Sequence, residues 1–236
     1  MDVSHALAAA GEPHGTVITA DFQEAGRGRG QYRVWQMNRG ENLPFTIFLR
    51  YPHIENIPSA LTLRTGLAVS LAIEDFAPSL RSKVKVKWPN DIMIDGKKNA
   101  GILCEADGGI VHIGIGLNVA QKEFPALLRE KAVSIAFAAD KDIAPEERFI
   151  LLEKILARLF DELNAPQNIA DWKSRLEQRL YKKGEQVVFV EGEAGSGRKV
   201  RGCLAGIGEG GELLILTEGE TQARSFVTGE VTIGAS

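Results

Sequence analysis

From Lys83 to Val119 the chain alternates with a period of two. It reads V-K-V-K-W, then I-M-I, an Asp95-Gly96 pair, A-G-I-L-C-E, a Gly108-Gly109 pair, and V-H-I-G-I-G-L-N-V. Aspartate and glycine both tolerate the left-handed backbone that a tight hairpin needs, so Asp-Gly between alternating apolar stretches predicts a two-residue loop. The segment is therefore an antiparallel meander. A two-residue loop at Asp95-Gly96 sets Met93 opposite Lys98, which places Asp91 and Lys98 diagonally on one face. In the last strand Val111, Ile113, Ile115, Leu117 and Val119 face one way, and His112, Gly114, Gly116 and Asn118 the other. One face is core. The other carries little side chain, as a bulge or the close approach of a ligand or backbone requires. His112 reads as a structural histidine, because nothing near it in sequence pairs with it.

Around the meander, Asp2 to Ala10 reads as a helix stopped at Gly11, Thr16 to Ala20 as a strand, Asn42 to Arg50 as another, and Ser59 to Phe76 as an apolar helix burying Leu63, Leu67, Leu71 and Ile73. Amphipathic spacing predicts a helix over Pro145 to Leu163 with Phe149, Leu152, Ile155, Leu156, Leu159 and Leu163 in the core, and a second over Gln167 to Leu180. After Lys182-Lys183-Gly184, short strands separated by glycine turns predict a small β-barrel. The fold class is α+β, a mixed, mainly antiparallel sheet with flanking helices, divided into units 1–183 and 184–236. Gly206, Gly208 and Gly211 satisfy G-x-G-x-x-G, but a strand follows where dinucleotide binding requires a helix.

With 236 residues and a net charge of −3, the chain has no global basic field to hold nucleic acid or an anionic membrane, so any anion site must be local. Cys104 and Cys203 lack metal-ligand spacing, no metal site is expected, and no apolar run is long enough to span a bilayer. A reducing cytoplasm is the expected location.

The stretch A-G-R-G-R-G-Q-Y-R-V-W, Ala25 to Trp35, alternates glycine with arginine. Glycine lets the backbone close on a ligand and arginine offers a charged fork of donors to phosphate or carboxylate, so the loop is expected to be loose when empty and clamped around an anion. Four segments follow one another: Q-E-A-G-R-G-R from Gln23, K-W-P-N-D from Lys87, K-N-A-G-I-L from Lys98 and G-I-G-L-N from Gly114. In that order and spacing they resemble the biotin protein ligases, and the ending V-T-G-E-V-T-I is similar to that family's C-terminal barrel.

The resemblance implies a class II synthetase-like catalytic domain with an SH3-like barrel. It implies ATP-dependent conversion of biotin to biotinyl-5'-AMP, with magnesium, and transfer to a lysine of a biotin carboxyl carrier protein. Gln23, Arg27, Gly28, Arg29, Lys98 and Gly101 would then bind biotin. Arg27, Arg29, Trp35, Asn90, Lys98 and Asn118 would bind the nucleotide, with Lys98, Arg29 and Asp91 catalytic. Tyr32 stands near a position where the family commonly has glycine. Aligned without gaps, Met1 falls just after the family's Ser-Thr pair, so that pair, its strand and the winged-helix extension of some members are absent from the sequence, and DNA binding is not expected. A homodimer is left open. The alternatives are a lipoate or octanoate transferase of the same fold and a catalytically impaired biotin-binding module.

Overall fold

The computed structural model describes residues 1–29, 34–164, 171–192 and 197–232. Helix α1 (Asp2–Ala9) leads into β1 (Val17–Thr19), a short ribbon of β2 (Gly26–Arg27) and β3 (Val34–Trp35), and β4 (Asn42–Arg50). Helix α2 (Leu61–Phe76) precedes the meander β5 (Val84–Lys87), β6 (Asp91–Ile94), β7 (Lys97–Asp107) and β8 (Ile110–Asn118). Then come α3 (Ile135–Ala139), α4 (Glu147–Asn164), α5 (Trp172–Glu177), β9 (Gln186–Glu191), β10 (Arg198–Ile207), β11 (Leu213–Thr217), β12 (Arg224–Phe226) and β13 (Gly229–Val231).

The meander forms as its turn residues require. Asp95 (φ 48°) and Gly96 (φ 78°) are both left-handed, and Met93 pairs with Lys98. The six-stranded sheet runs β1-β4-β8-β7-β6-β5, with the neighbouring strands antiparallel. Its apolar face, with Val86, Ile92, Ile102 and Ile115, packs under α2, where a side chain at Gly66 would press on Val86 at 3.1 Å. Helix α4 covers α2 in turn, and between them Arg64 and Glu162 form an ion pair with both side chains almost wholly buried. Leu63, Leu67 and Ile73 are buried as the spacing predicts, while Leu71 is only half-buried.

On α4 the expected apolar stripe is shifted. Leu151, Ile155 and Leu159 are fully buried, but Phe149 is 40% exposed, with the Arg148 guanidinium over its ring at 4.7 Å. Arg148 takes the inward place because it reaches Asp21 and the Gly40 carbonyl. Helix α5 is shorter than the expected 167–180 segment, whose first residues lie outside those described.

The C-terminal strands form a five-stranded sheet, β12-β11-β10-β9-β13, whose end strands do not pair with each other, so hydrogen bonding does not close the barrel. Leu204, Ile215 and Phe189 make its interior. Gly206 lies within β10 and Gly208 in the turn after it, a hairpin rather than a helix start. Among the described residues no helix is long and apolar enough to cross a membrane.

Candidate active site

The polar face of the sheet is the floor of a cavity of about 430 Å³, within the range of small-molecule sites. Gly114, Gly116 and Asn118 from β8, Thr46 from β4 and Gly101 from β7 line it. At Gly116 the absence of a side chain is a steric requirement, since a Cβ would lie 2.7 Å from Trp35 Cε2, whereas one at Gly114 would meet the flexible Met1 Sδ at 2.9 Å. The walls are the first turn of α1, the stretch from Gln23 to Arg29, Trp35, and a later segment carrying Phe124, Pro125 and Leu128. All ten sequence-predicted site residues (Gln23, Arg27, Gly28, Arg29, Trp35, Asn90, Asp91, Lys98, Gly101 and Asn118) line this one cavity.

Lys98 and Asp91 meet as expected, Nζ to Oδ1 at 2.6 Å, but through a register that simple alternation does not give. Met93 pairs with Lys98 and Ile92 with Ala100, so Asn99 is an extra residue, a β-bulge. Strict alternation would turn Gly101 away from Lys98. The bulge returns both to the cavity face, where a Cβ on Gly101 would lie 3.4 Å from Lys98 Nζ. Asp91, opposite Gly101, joins them. Its side chain is 9% exposed and that of Lys98 33%, and among the described residues Asp91 Oδ1 has no aligned hydrogen bond, so its contact with Lys98 is a charge pair.

Beside this pair lies a cation that sequence reasoning passed over. Lys87, with its side chain 2% exposed, reaches Glu230 of β13 at 3.3 Å. Burial pushes its pKa below the ordinary lysine range, against the opposing pull of Asp91 and Glu230. Its neighbour Trp88 donates from Nε1 to the Gly211 carbonyl at 3.0 Å and meets Phe189 edge-on. This part of K-W-P-N-D thus joins the C-terminal sheet to the cavity floor.

Trp35 lies over the glycine floor with its indole Nε1 buried and unpartnered among the described residues. Arg27 pairs with Asp2 at 2.7 Å, half exposed. The Gly/Arg stretch opens with the β2/β3 ribbon, Gly26 opposite Trp35 and Arg27 opposite Val34. Gly30 to Arg33, Tyr32 included, lie outside the described residues.

The two asparagines are held inward. Asn90 Nδ2 donates to the Ile102 carbonyl at 2.8 Å. Asn118 Oδ1 accepts from Asn42 Nδ2 at 2.9 Å, which also reaches Gln121 at 3.0 Å, and Asn99 Nδ2 donates to the Asn118 and Val133 carbonyls. This buried amide lattice anchors the bulge. Only Asn118 was singled out from sequence; Asn42, Asn99 and Gln121 gave no signal, because their partners lie far along the chain. The described residues contain no cluster of three or more His, Cys, Asp or Glu suited to a metal. Among the described residues the cavity lining carries two carboxylates, Asp2 and Asp91, each paired with a cation, Arg27 and Lys98.

Residues 5–119 match the model of the Biotin/lipoate A/B protein ligase family. The biotin--[acetyl-CoA-carboxylase] ligase of Paracoccus denitrificans is 30% identical over 206 residues, 84% of this chain and 82% of that protein. The bifunctional ligase/repressor BirA of Bacillus subtilis is 41% identical over 149 residues, 59% of this chain and 44% of that protein. The chain spans less than half the length of that relative. Among solved structures, the biotin protein ligase of Aquifex aeolicus in complex with biotin and ATP superposes with a TM-score of 0.80 at 30% identity, covering 99% of this chain and 94% of that one.

Proposed function

The chain belongs to the biotin protein ligase family, and from that premise we propose that it activates biotin with ATP to biotinyl-5'-AMP and transfers biotin to a lysine of a biotin carboxyl carrier protein. The observation that carries the reading is the Lys98–Asp91 pair set on a glycine floor and faced by Arg27 and Arg29 inside one cavity.

In the first step a carboxylate oxygen attacks the α-phosphorus and pyrophosphate leaves. Two anions must be brought together, so cations that neutralise the approach and hold the charge developing at phosphorus lower the barrier. Lys98 would take that role, released from Asp91 to the phosphate. Arg29 and Arg27 would hold biotin and nucleotide oxygens, and Gln23, Gly28 and Gly101 would shape the biotin end. Trp35, whose indole donor is unpartnered among the described residues, would cover the nucleotide, and Asn90 and Asn118 would fix its rim through the backbone they order. Magnesium on the triphosphate would be met by Asp91 and would supply further charge neutralisation. In the second step the carrier amine attacks the anhydride carbonyl and AMP leaves.

Residues 1–183 would form the catalytic unit and 184–236 the C-terminal one. Two free cysteines fit a reducing cytoplasm. The test is a mass spectrum of a purified biotin carboxyl carrier domain after incubation with the protein, biotin, ATP and magnesium. One biotinyl addition is expected; lipoyl addition from lipoate in its place would assign the transferase alternative, and adenylate binding without any transfer would assign the impaired module.

A further inference from the structure

His112 lies 1% exposed on β8, with Nδ1 2.6 Å from the Oγ of Ser4, a fully buried residue of α1. The His5 ring stacks on it at 3.8 Å between centroids, and Phe48 of β4 closes another side at 5.8 Å. The charged and titratable groups around it are few. From α1 come His5 and the ammonium of Met1; from β7 come Glu105, which takes His5 Nε2 at 3.0 Å, and Asp107. Strand β4 brings Arg50, whose guanidinium sits over Phe48 and donates to the Ala8 and Glu12 carbonyls beyond the ring. Burial is the first cause pushing the His112 pKa below its ordinary value and His5 the second, while Glu105 and Asp107 oppose.

The same helix is a wall of the site. Met1, Asp2 and Val3 line the cavity, Met1 Sδ rests against Gly114, and Asp2 pairs with Arg27. We propose that His112 is a positioning residue for this wall, and that protonating it undocks the first turn of α1 and weakens ligand binding. The Ser4 hydroxyl can donate to the neutral ring or accept from the protonated one, so that bond can form in either state. What protonation adds is a buried cation stacked against the His5 ring. With α1 undocked, His112 is hydrated and titrates near its ordinary value of about 6.5. The undocked state therefore holds the proton more tightly, so docking is complete above about pH 6.5 and is lost as pH falls below it.

The ligand half of this inference rests on the biotin reading above. Hydrogen exchange of the α1 amides, corrected for the intrinsic pH dependence, is compared at pH 7.5 and 5.5, and the affinity for biotin amide, which carries no titrating carboxylate, is measured across the same range. Protection of α1 should fall, and affinity should weaken by up to about tenfold per pH unit, the limit for one proton. In H112F both should become nearly independent of pH. Unchanged α1 protection in the parent, or an equal fall in H112F, overturns the proposal. If H112F does not fold, the NMR titration of the parent decides: His112 titrating at or above 6.5 with α1 protection intact also overturns it. Failure to bind biotin amide at pH 7.5 defeats the biotin reading and leaves the exchange result standing on its own.

Discussion

Replacing Lys98 with alanine isolates the charge on which the proposed chemistry depends. The substitution removes an ammonium 2.6 Å from Asp91 and leaves that carboxylate, 9% exposed, facing the cavity. Two unit charges about 4 Å apart attract by about 4 kcal/mol at an effective dielectric near 20. Lys98 keeps a third of its side chain in solvent, so a discount to about 3 kcal/mol is reasonable. That corresponds to a loss of about a hundredfold in adenylate formation. Stability should fall by only about 1 kcal/mol, because the pair is partly solvated and Lys87 still faces Asp91. The assay is single-turnover conversion of labelled ATP to the acyl-adenylate, with urea unfolding in parallel and transfer from preformed biotinyl-5'-AMP measured separately. Transfer should suffer less, because phosphorus is no longer attacked. A folded K98A protein that forms adenylate within about threefold of the parent refutes the assignment of Lys98.

Gly116→Ala should displace the Trp35 ring, which a Cβ would meet at 2.7 Å, and weaken ATP binding by about tenfold with the fold intact; ATP titration and indole fluorescence would read both. Arg64→Ala should cost about 3 kcal/mol in urea unfolding, at the low end for a broken buried pair because Arg175 still reaches Glu162, and should leave ligand affinity unchanged. Cys104, whose thiol burial pushes up to about 11, should resist iodoacetamide at pH 8 in the native protein and react in urea, as peptide mass spectrometry would show.

The strands and their faces were legible because a period of two and two tight turns leave little choice of register, and the glycine floor of β8 could be read directly. What failed to read through was decided by partners distant in sequence. Phe149 fits the helical stripe of α4, yet the inward place goes to Arg148, whose partners Asp21 and Gly40 lie more than a hundred residues earlier. His112 looks solitary in its strand and is paired by Ser4, again more than a hundred residues away. The open edge between β12 and β13 also escapes a local reading, since strand content alone does not say which ends meet.

The bulge at Asn99 shows how a correct inference can rest on an incomplete register. A plain two-residue hairpin predicts that Asp91 and Lys98 share a face, and they do. Continued without interruption, however, that hairpin sets Asp91 opposite Ala100 and turns Gly101 to the core, where the floor under Lys98 would be lost. The inserted residue corrects this by one position, so that Asp91 pairs with Gly101 and both lie with Lys98. An unpaired extra residue in a buried strand needs partners for its polar atoms, or it relaxes back into register. Asn99 Nδ2 finds them in the carbonyls of Asn118 and Val133, while its Oδ1 is unpartnered among the described residues, and Asn118 is held by Asn42. The amide lattice under the floor and the charge pair above it are therefore one arrangement: the lattice holds the extra residue, and the extra residue aims Lys98 into the cavity.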